Sequence, residues 1–289
     1  MKRLDAPDIS FKEAFDACIE GVGRAQTKKL YQDNLRPLGP IEQDYAAKAT
    51  SGELYLLPRI PSIRKVDQTI LGDLRKSHLV KLYDQYLRQE GKPGRSIYQR
   101  IKVSANGKCP FCGGIGHVRT LDHFVPKANF PTYSVVPGNL VPCCRDCNSD
   151  KLNSFPNAMG AQVLHPYFED EKYFSQQWVH ARIIEIDPPV VEFYVLAPED
   201  WGAVDRQRVE AHFLEYGLAD KFGIEAAADL PETIQTRTSS LRDFSPDEFS
   251  NYLLEKSRTL ALPINNWRRV MFLALANSDW FCSRGGGGS

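Results

Sequence analysis

Residues 109–151 read CPFCGGIGHVRTLDHFVPKANFPTYSVVPGNLVPCCRDCNSDK, and the spacing of their sulfurs and polar side chains decides the fold. Cys109 and Cys112 form one C-x-x-C pair and Cys144 and Cys147 a second, with 31 residues between the pairs. Each pair supplies two thiolates, and four thiolates make the tetrahedral soft-ligand shell that Zn²⁺ prefers. Such a shell keeps no open position, so the zinc is expected to be structural. It would hold a segment too small to fold on its own burial. Cys143 competes with Cys144, and the two-residue gap to Cys147 favours Cys144. An iron–sulfur cluster or an unmetallated cysteine core is the alternative. The odd total of seven cysteines, with Cys18 and Cys282 alone, argues against a disulfide framework.

Between the knuckles, a β-prone run from near His117 ends at Leu121-Asp122-His123, and Pro126 stops it. Asn139-Leu140-Val141-Pro142 reads as a second short strand, and a helix is expected to begin where Asn148 follows Cys147. An Asp-His pair, a middle Asn and a final Asn after the second knuckle, in β-β-α order, resemble the HNH or ββα-metal nuclease family in its HNN variant. The resemblance covers residues 105–155. It implies a metal-dependent endonuclease, with DNA as the favoured substrate and 5′-phosphate products. A wider set, Asp122 to Lys127, Phe130-Pro131, Asn139 to Pro142 and His165-Pro166-Tyr167-Phe168, is similar to HNH proteins of bacterial antiphage defence loci. Those include the nuclease partner of Septu-type systems. That similarity implies an antiviral role and an ATPase as protein partner.

The residues carry the chemistry such a reading needs. Phosphodiester hydrolysis requires an activated water and charge relief on the leaving oxygen. His123 is suited to accept a proton near neutral pH, as general base. Asp122 and Asn148 offer hard oxygens for Mg²⁺ or Mn²⁺. Asn139, matched to the family's middle Asn, would orient the loop carrying His123. Neighbours on a regular strand point to opposite faces, so Asp122 and His123 can share a metal only where the strand ends. Lys127, Arg145 and Lys151 are candidate phosphate contacts. His117 reads as an exposed strand residue, and His165 as either packed or supporting the site. Taken singly, His123 could be a packed histidine, Asp122 a turn residue and Asn148 a helix cap.

Outward from this segment, helices dominate. Ser10-Phe11-Lys12-Glu13 is a helix start, and Phe11, Phe15, Cys18, Ile19 and Val22 share a face. A helix is expected over Val66–Leu87, ended by Gly91-Lys92-Pro93-Gly94, and a short one over Arg95–Val103. Trp178–Ile186 and Val190–Leu196 flank Asp187-Pro188-Pro189 as a hairpin. Val209, Phe213 and Tyr216 fit one helix, Ser245-Pro246 starts another, and Asn266–Asn277 forms the last, burying Trp267, Val270, Met271 and Ala274. The fold class is therefore mainly α with a small α+β part: a zinc-stapled ββα core flanked by helical regions and a hairpin. The expected organisation is a helical basic region over 1–104, the nuclease segment over 105–175, a hairpin and helical region over 176–284, and an appended linker over 285–289.

With 36 basic and 36 acidic residues the overall charge carries no information about partners, but its distribution does. Residues 1–108 are net +7, residues 109–175 net −1 and residues 176–289 net −6. The basic third is where a polyanion would be gripped, with Arg64, Lys65, Arg75, Lys76, Lys81, Arg88, Lys92, Arg95 and Arg100 as candidates. No apolar run approaches the ~20 residues of a membrane span. No apolar segment follows the first basic residues, so a cytoplasmic protein without a signal peptide is expected. No nucleotide-binding loop occurs, so any ATP dependence belongs to another chain. The competing reading is a zinc-dependent nucleic-acid-binding or protein-interaction module without catalysis. A third reading is an interaction protein whose nuclease is only the effector arm, docking through the acidic C-terminal third and its late aromatics Trp267, Phe272, Trp280 and Phe281, although core is the preferred reading of those four.

Overall fold

Helix α1 (Phe11–Glu20) starts where its sequence says it should, with Ser10 Oγ accepting from Glu13 N at 3.1 Å. Its apolar stripe buries Phe11, Ala14, Phe15, Cys18 and Ile19. A computed structural model describes residues 1–35, 38–61, 66–151, 155–259 and 261–284. Arg64, Lys65 and the linker residues 285–289 lie outside the described residues. The described chain is mainly helical, with three two-stranded antiparallel sheets. It divides into two units: residues 3–110 with 116–169, and residues 1–2 and 111–115 with the chain from Asp170 on. The sequence suggested a break at 104/105, yet the helical region and residues 116–169 fall in one unit.

In that unit α1 is followed by α2 (Ala25–Asn34) and α3 (Leu38–Thr50). The expected helix over Val66–Leu87 is corrected in its first half. Strands β1 (Thr69–Leu71) and β2 (Leu74–Arg75) form a hairpin there. Gly72 turns it at φ +53°, and a Cβ on that residue would fall 2.1 Å from Asn34 Oδ1. The same Oδ1 accepts from Asp73 N at 2.8 Å. Only glycine meets both demands. The helical half survives as α4 (Lys76–Lys81), which runs into a π-helical turn over Leu82–Leu87, with Arg88 N bonded to Tyr83 O at 2.9 Å. Helix α5 (Arg95–Val103) has the expected bounds and packs Ile97, Tyr98 and Ile101 inward. Strand β3 (Thr120–His123) pairs antiparallel with β4 (Leu140–Cys143), with His123 opposite Leu140 and Thr120 opposite Cys143. Helix α6 (Arg145–Lys151) follows, so it begins three residues before the expected start at Asn148. Helix α5 lies against both strands.

The second unit opens with α7 (Lys172–Ser175) and a hairpin of β5 (Val179–Ile184) and β6 (Val190–Val195) around the predicted Asp-Pro-Pro turn. Asn265 Oδ1 accepts from Trp178 N at 2.8 Å and Val179 N at 3.0 Å, fixing the entry to the first strand. Helices α8 (Ala203–Glu215), α9 (Leu218–Thr238), α10 (Pro246–Thr259), α11 (Trp267–Ala276) and α12 (Asp279–Arg284) complete the unit. Ser245 and Glu248 exchange reciprocal backbone bonds at the start of α10. Val270 and Met271 are buried as expected, whereas Trp267 and Ala274 are half-buried. Of the late aromatics Phe272 and Phe281 are core, and Trp280 is half-buried. No helix among the described residues is long and apolar enough to cross a membrane.

His212 on α8 is wholly buried, its Nε2 donating to Phe111 O at 3.0 Å. Burial, then the positive N-terminal amine, pushes its imidazole down to about 3. The unfolded chain gains this proton near pH 6.5 while the folded chain resists it, so stability is full above that pH and falls as acid is added. Between pH 7 and pH 5 this one histidine is expected to cost about 2 kcal/mol. Urea midpoints of wild type and His212→Gln at the two pH values check it. The variant's loss should be smaller by about that amount.

Candidate functional site

The two knuckles bring Cys109, Cys112, Cys144 and Cys147 together, all buried, with their sulfurs within 4.8 Å of one another. Zinc–sulfur bonds of ~2.3 Å in a tetrahedron require sulfurs about 3.8 Å apart, so the four residues fit zinc with little adjustment. The turn after Cys112 places Gly113 and Gly114 at φ +66° and +98°. Cys147 N donates to Cys144 Sγ at 3.4 Å, the backbone-to-sulfur bond that offsets thiolate charge. Cys143, the competitor in the sequence, is outside the four-sulfur group. The neighbouring sulfurs of Cys109 and Cys144 drive its thiol far upward, so it stays a neutral S–H. None of the seven cysteines, all of them described, forms a disulfide.

His123 is the last residue of β3, where the pleat's alternation ends. There Asp122, His123 and Asn148 line one cavity of about 300 Å³, completed by Tyr83, Arg88, Thr120, Leu121, Pro126 and Lys127. His123 Nε2 lies 2.9 Å from Ser134 O. A carbonyl can only accept, so Nε2 carries the ring hydrogen and Nδ1 keeps its lone pair. Burial, then the Lys127 charge, pushes the imidazole down to about 3, so the ring is neutral at any physiological pH. Tyr83 meets it edge-on, 4.3 Å between ring centres, and bonds Leu121 O at 3.0 Å.

Lys151, expected at a phosphate, is 3% exposed. Its ammonium donates to Asp122 Oδ2 at 2.8 Å and to His123 O at 2.6 Å, tying α6 to the end of β3. Burial raises the Asp122 carboxyl, and Lys151 opposes that rise. Lys127 reaches the cavity wall with its Nζ 2.6 Å from Asp84 Oδ1, and the Arg88 guanidinium stands 3.9 Å from the same oxygen. Arg145 is exposed on α6 and does not line the cavity. Arg95 pairs with Glu90 and Arg100 with Glu13, and neither reaches the cavity.

Asn139 is fully buried and uses both ends of its amide. Oδ1 accepts from Val125 N at 2.7 Å, and Nδ2 donates to Tyr133 O at 3.0 Å and Val125 O at 3.2 Å. It therefore ties down the segment that follows His123. His117 is exposed, bridged to Lys108, and His165 is wholly buried against Phe124. Tyr83 within the π-helical turn and Arg88 just after it line the cavity. Their sequence neighbourhood reads as an ordinary amphipathic helix, and only the positive charge singled out Arg88, among nine cations.

No family model and no solved structure matches the chain. It is 33% identical to Protein ea31 of Escherichia phage lambda over 293 residues, covering 97% of this chain and 99% of that protein. Identity at that level, end to end in both sequences, means that the chain belongs to the family of Protein ea31.

Proposed function

We propose that this protein is an HNH-type nuclease that hydrolyses nucleic-acid phosphodiester bonds, DNA favoured, with His123 as general base. The observation that carries the reading is the convergence of Asp122, His123 and Asn148 on one cavity, on two antiparallel strands and a helix beside a four-cysteine cluster. A neutral histidine lining the same cavity as Asp122 and Asn148 is the set that metal-assisted hydrolysis uses.

Asp122, whose Oδ2 also accepts from Lys151, and Asn148 are the hard-oxygen donors suited to Mg²⁺ or Mn²⁺. A divalent cation bound there supplies charge stabilisation for the 3′ leaving oxygen. The protein's own residues do the rest. The Ser134 carbonyl fixes the His123 tautomer so that Nδ1 accepts the proton of the attacking water. Burial is the main cause that lowers the imidazole; an anionic phosphate drawn to Lys127 and Arg88 would offset the smaller contribution of those two charges and move the ring's basicity upward where substrate is bound. Incubation of the zinc-loaded protein with supercoiled plasmid and Mg²⁺ or Mn²⁺ tests the reading. Nicking or linearisation that stops with EDTA is expected, and an intact plasmid with either ion, with and without an ATPase partner, defeats it.

The grip on nucleic acid should be electrostatic. Affinity is expected to fall steeply with salt, and Lys127→Ala should lower the slope of log K against log[salt] by about 1. Fluorescence anisotropy between low and moderate salt reads both. A flat response would remove the phosphate role from these cations. The resemblance of the Asp122–Lys127 and His165–Phe168 stretches to antiphage HNH proteins is the ground for a defence role gated by an ATPase, which co-purification can examine.

A further inference from the structure

Tyr45 sits on α3, far from the nuclease-like segment in sequence, yet its hydroxyl is 3.1 Å from Asn139 Oδ1 and 3.3 Å from His165 Nε2. All three residues are buried, and none lines the cavity. Donor and acceptor chemistry orients every link. Tyr167 N–H can only donate, so His165 Nδ1, at 3.2 Å, accepts and the ring hydrogen sits on Nε2. That hydrogen goes to the Tyr45 oxygen, and the Tyr45 hydrogen goes to Asn139 Oδ1. Val125 N–H, also only a donor, holds the same Oδ1 at 2.7 Å. The amide nitrogen is thereby turned to Val125 O and Tyr133 O, fixing the stretch that ends at Ser134. Ser134 O is the acceptor that sets the His123 ring.

We propose that Tyr45 and His165 are positioning residues, which hold His123 in its Nε2–H tautomer and in place at the cavity through Asn139 and the 125–134 segment. As a contribution to catalysis this rests on the nuclease reading; as a statement about the His123 ring it does not. A position serving packing alone would be filled by phenylalanine, because a buried hydroxyl without partners is costly. Tyr45 packs its ring against Tyr133 and Phe168, and its oxygen adds only the relay.

The test uses the zinc-loaded full chain labelled with ¹⁵N-histidine, His123 being assigned by its absence from the His123→Ala spectrum. Wild type should show His123 with hydrogen on Nε2. Tyr45→Phe should show mixed tautomers there, with kcat on plasmid down about tenfold and KM within about twofold, since misplacement of a catalytic group acts on the chemical step. Tyr31→Phe deletes an equally buried tyrosine's hydroxyl, bonded to His78 O at 2.8 Å, and should leave both readouts unchanged. His165→Gln retains a donor near the Nε2 position and should keep activity within about threefold, whereas His165→Leu should match Tyr45→Phe. That pair carries the comparison should Tyr45→Phe fail to fold. An unchanged His123 tautomer and kcat in Tyr45→Phe overturns the proposal, as does an equal loss in Tyr31→Phe. If wild type cuts nothing but its His123 tautomer still responds to Tyr45→Phe, the positioning role stands and the nuclease reading falls.

Discussion

Replacing Cys147 by serine is expected to remove the zinc and to destabilise the fold by about 5 kcal/mol or more, since structural zinc binding is itself folding free energy of ~10–16 kcal/mol in small peptides. For a domain of this size that corresponds to a melting temperature lower by about 10–20 °C. The reason is geometric. Strands β3 and β4 contribute four residues each, and α6 is two turns long. Elements this short do not bury enough surface to hold their own ends. Cys147 lies within α6 and Cys144 immediately precedes it, so their sulfurs fix the helix against Cys109, which stands just after α5. Metal analysis and calorimetry check the expectation. Wild type should hold one zinc per chain and Cys147→Ser none, while Cys143→Ser should keep its zinc because its sulfur stays outside the four-sulfur group. Equal zinc in all three proteins would contradict the assignment.

His123→Ala is expected to lower the rate of plasmid cleavage by about 10³-fold, within the range assigned to a positioned general base. The fold should persist, with zinc content and far-ultraviolet dichroism unchanged, because among the described residues the ring's hydrogen bond is a single one, to Ser134 O. The effect should fall on kcat, with substrate affinity retained, since Lys127 and Arg88 still line the cavity. Single-turnover cleavage alongside anisotropy separates the two. A variant that binds and cuts as wild type does would remove His123 from the chemistry.

Features fixed by local chemistry were legible before any coordinates. The Ser10 and Ser245 helix starts, the bounds of α5, the turn at Asp187-Pro188-Pro189 and the four-sulfur group all follow from residues a few positions apart, or from one metal's geometry. The mainly α class with small β elements followed from the same signals. What escaped depends on contacts far apart in the chain. The β1–β2 hairpin hides inside a helical periodicity because its tight turn is read only when Asn34 meets Gly72 and Asp73. Lys151 read as a candidate phosphate contact, and burial beside Asp122 gives it a different partner. Tyr45 carried no signal at all, since a tyrosine on a weakly amphipathic helix reads as core. Within the site, Asp122, His123 and Asn148 line one cavity, and of the cations singled out as phosphate contacts Lys127 and, from outside the segment, Arg88 line it too.

The most direct measurement is the end chemistry of plasmid cut by zinc-loaded wild type with Mg²⁺ or Mn²⁺, read by ligation with and without phosphatase and set beside His123→Ala. Breaks carrying 5′-phosphate and 3′-hydroxyl ends, made by wild type and nearly lost in the variant, are the expected result. Plasmid left whole by wild type even with an ATPase partner added, or identical breaks from both proteins, would contradict the account.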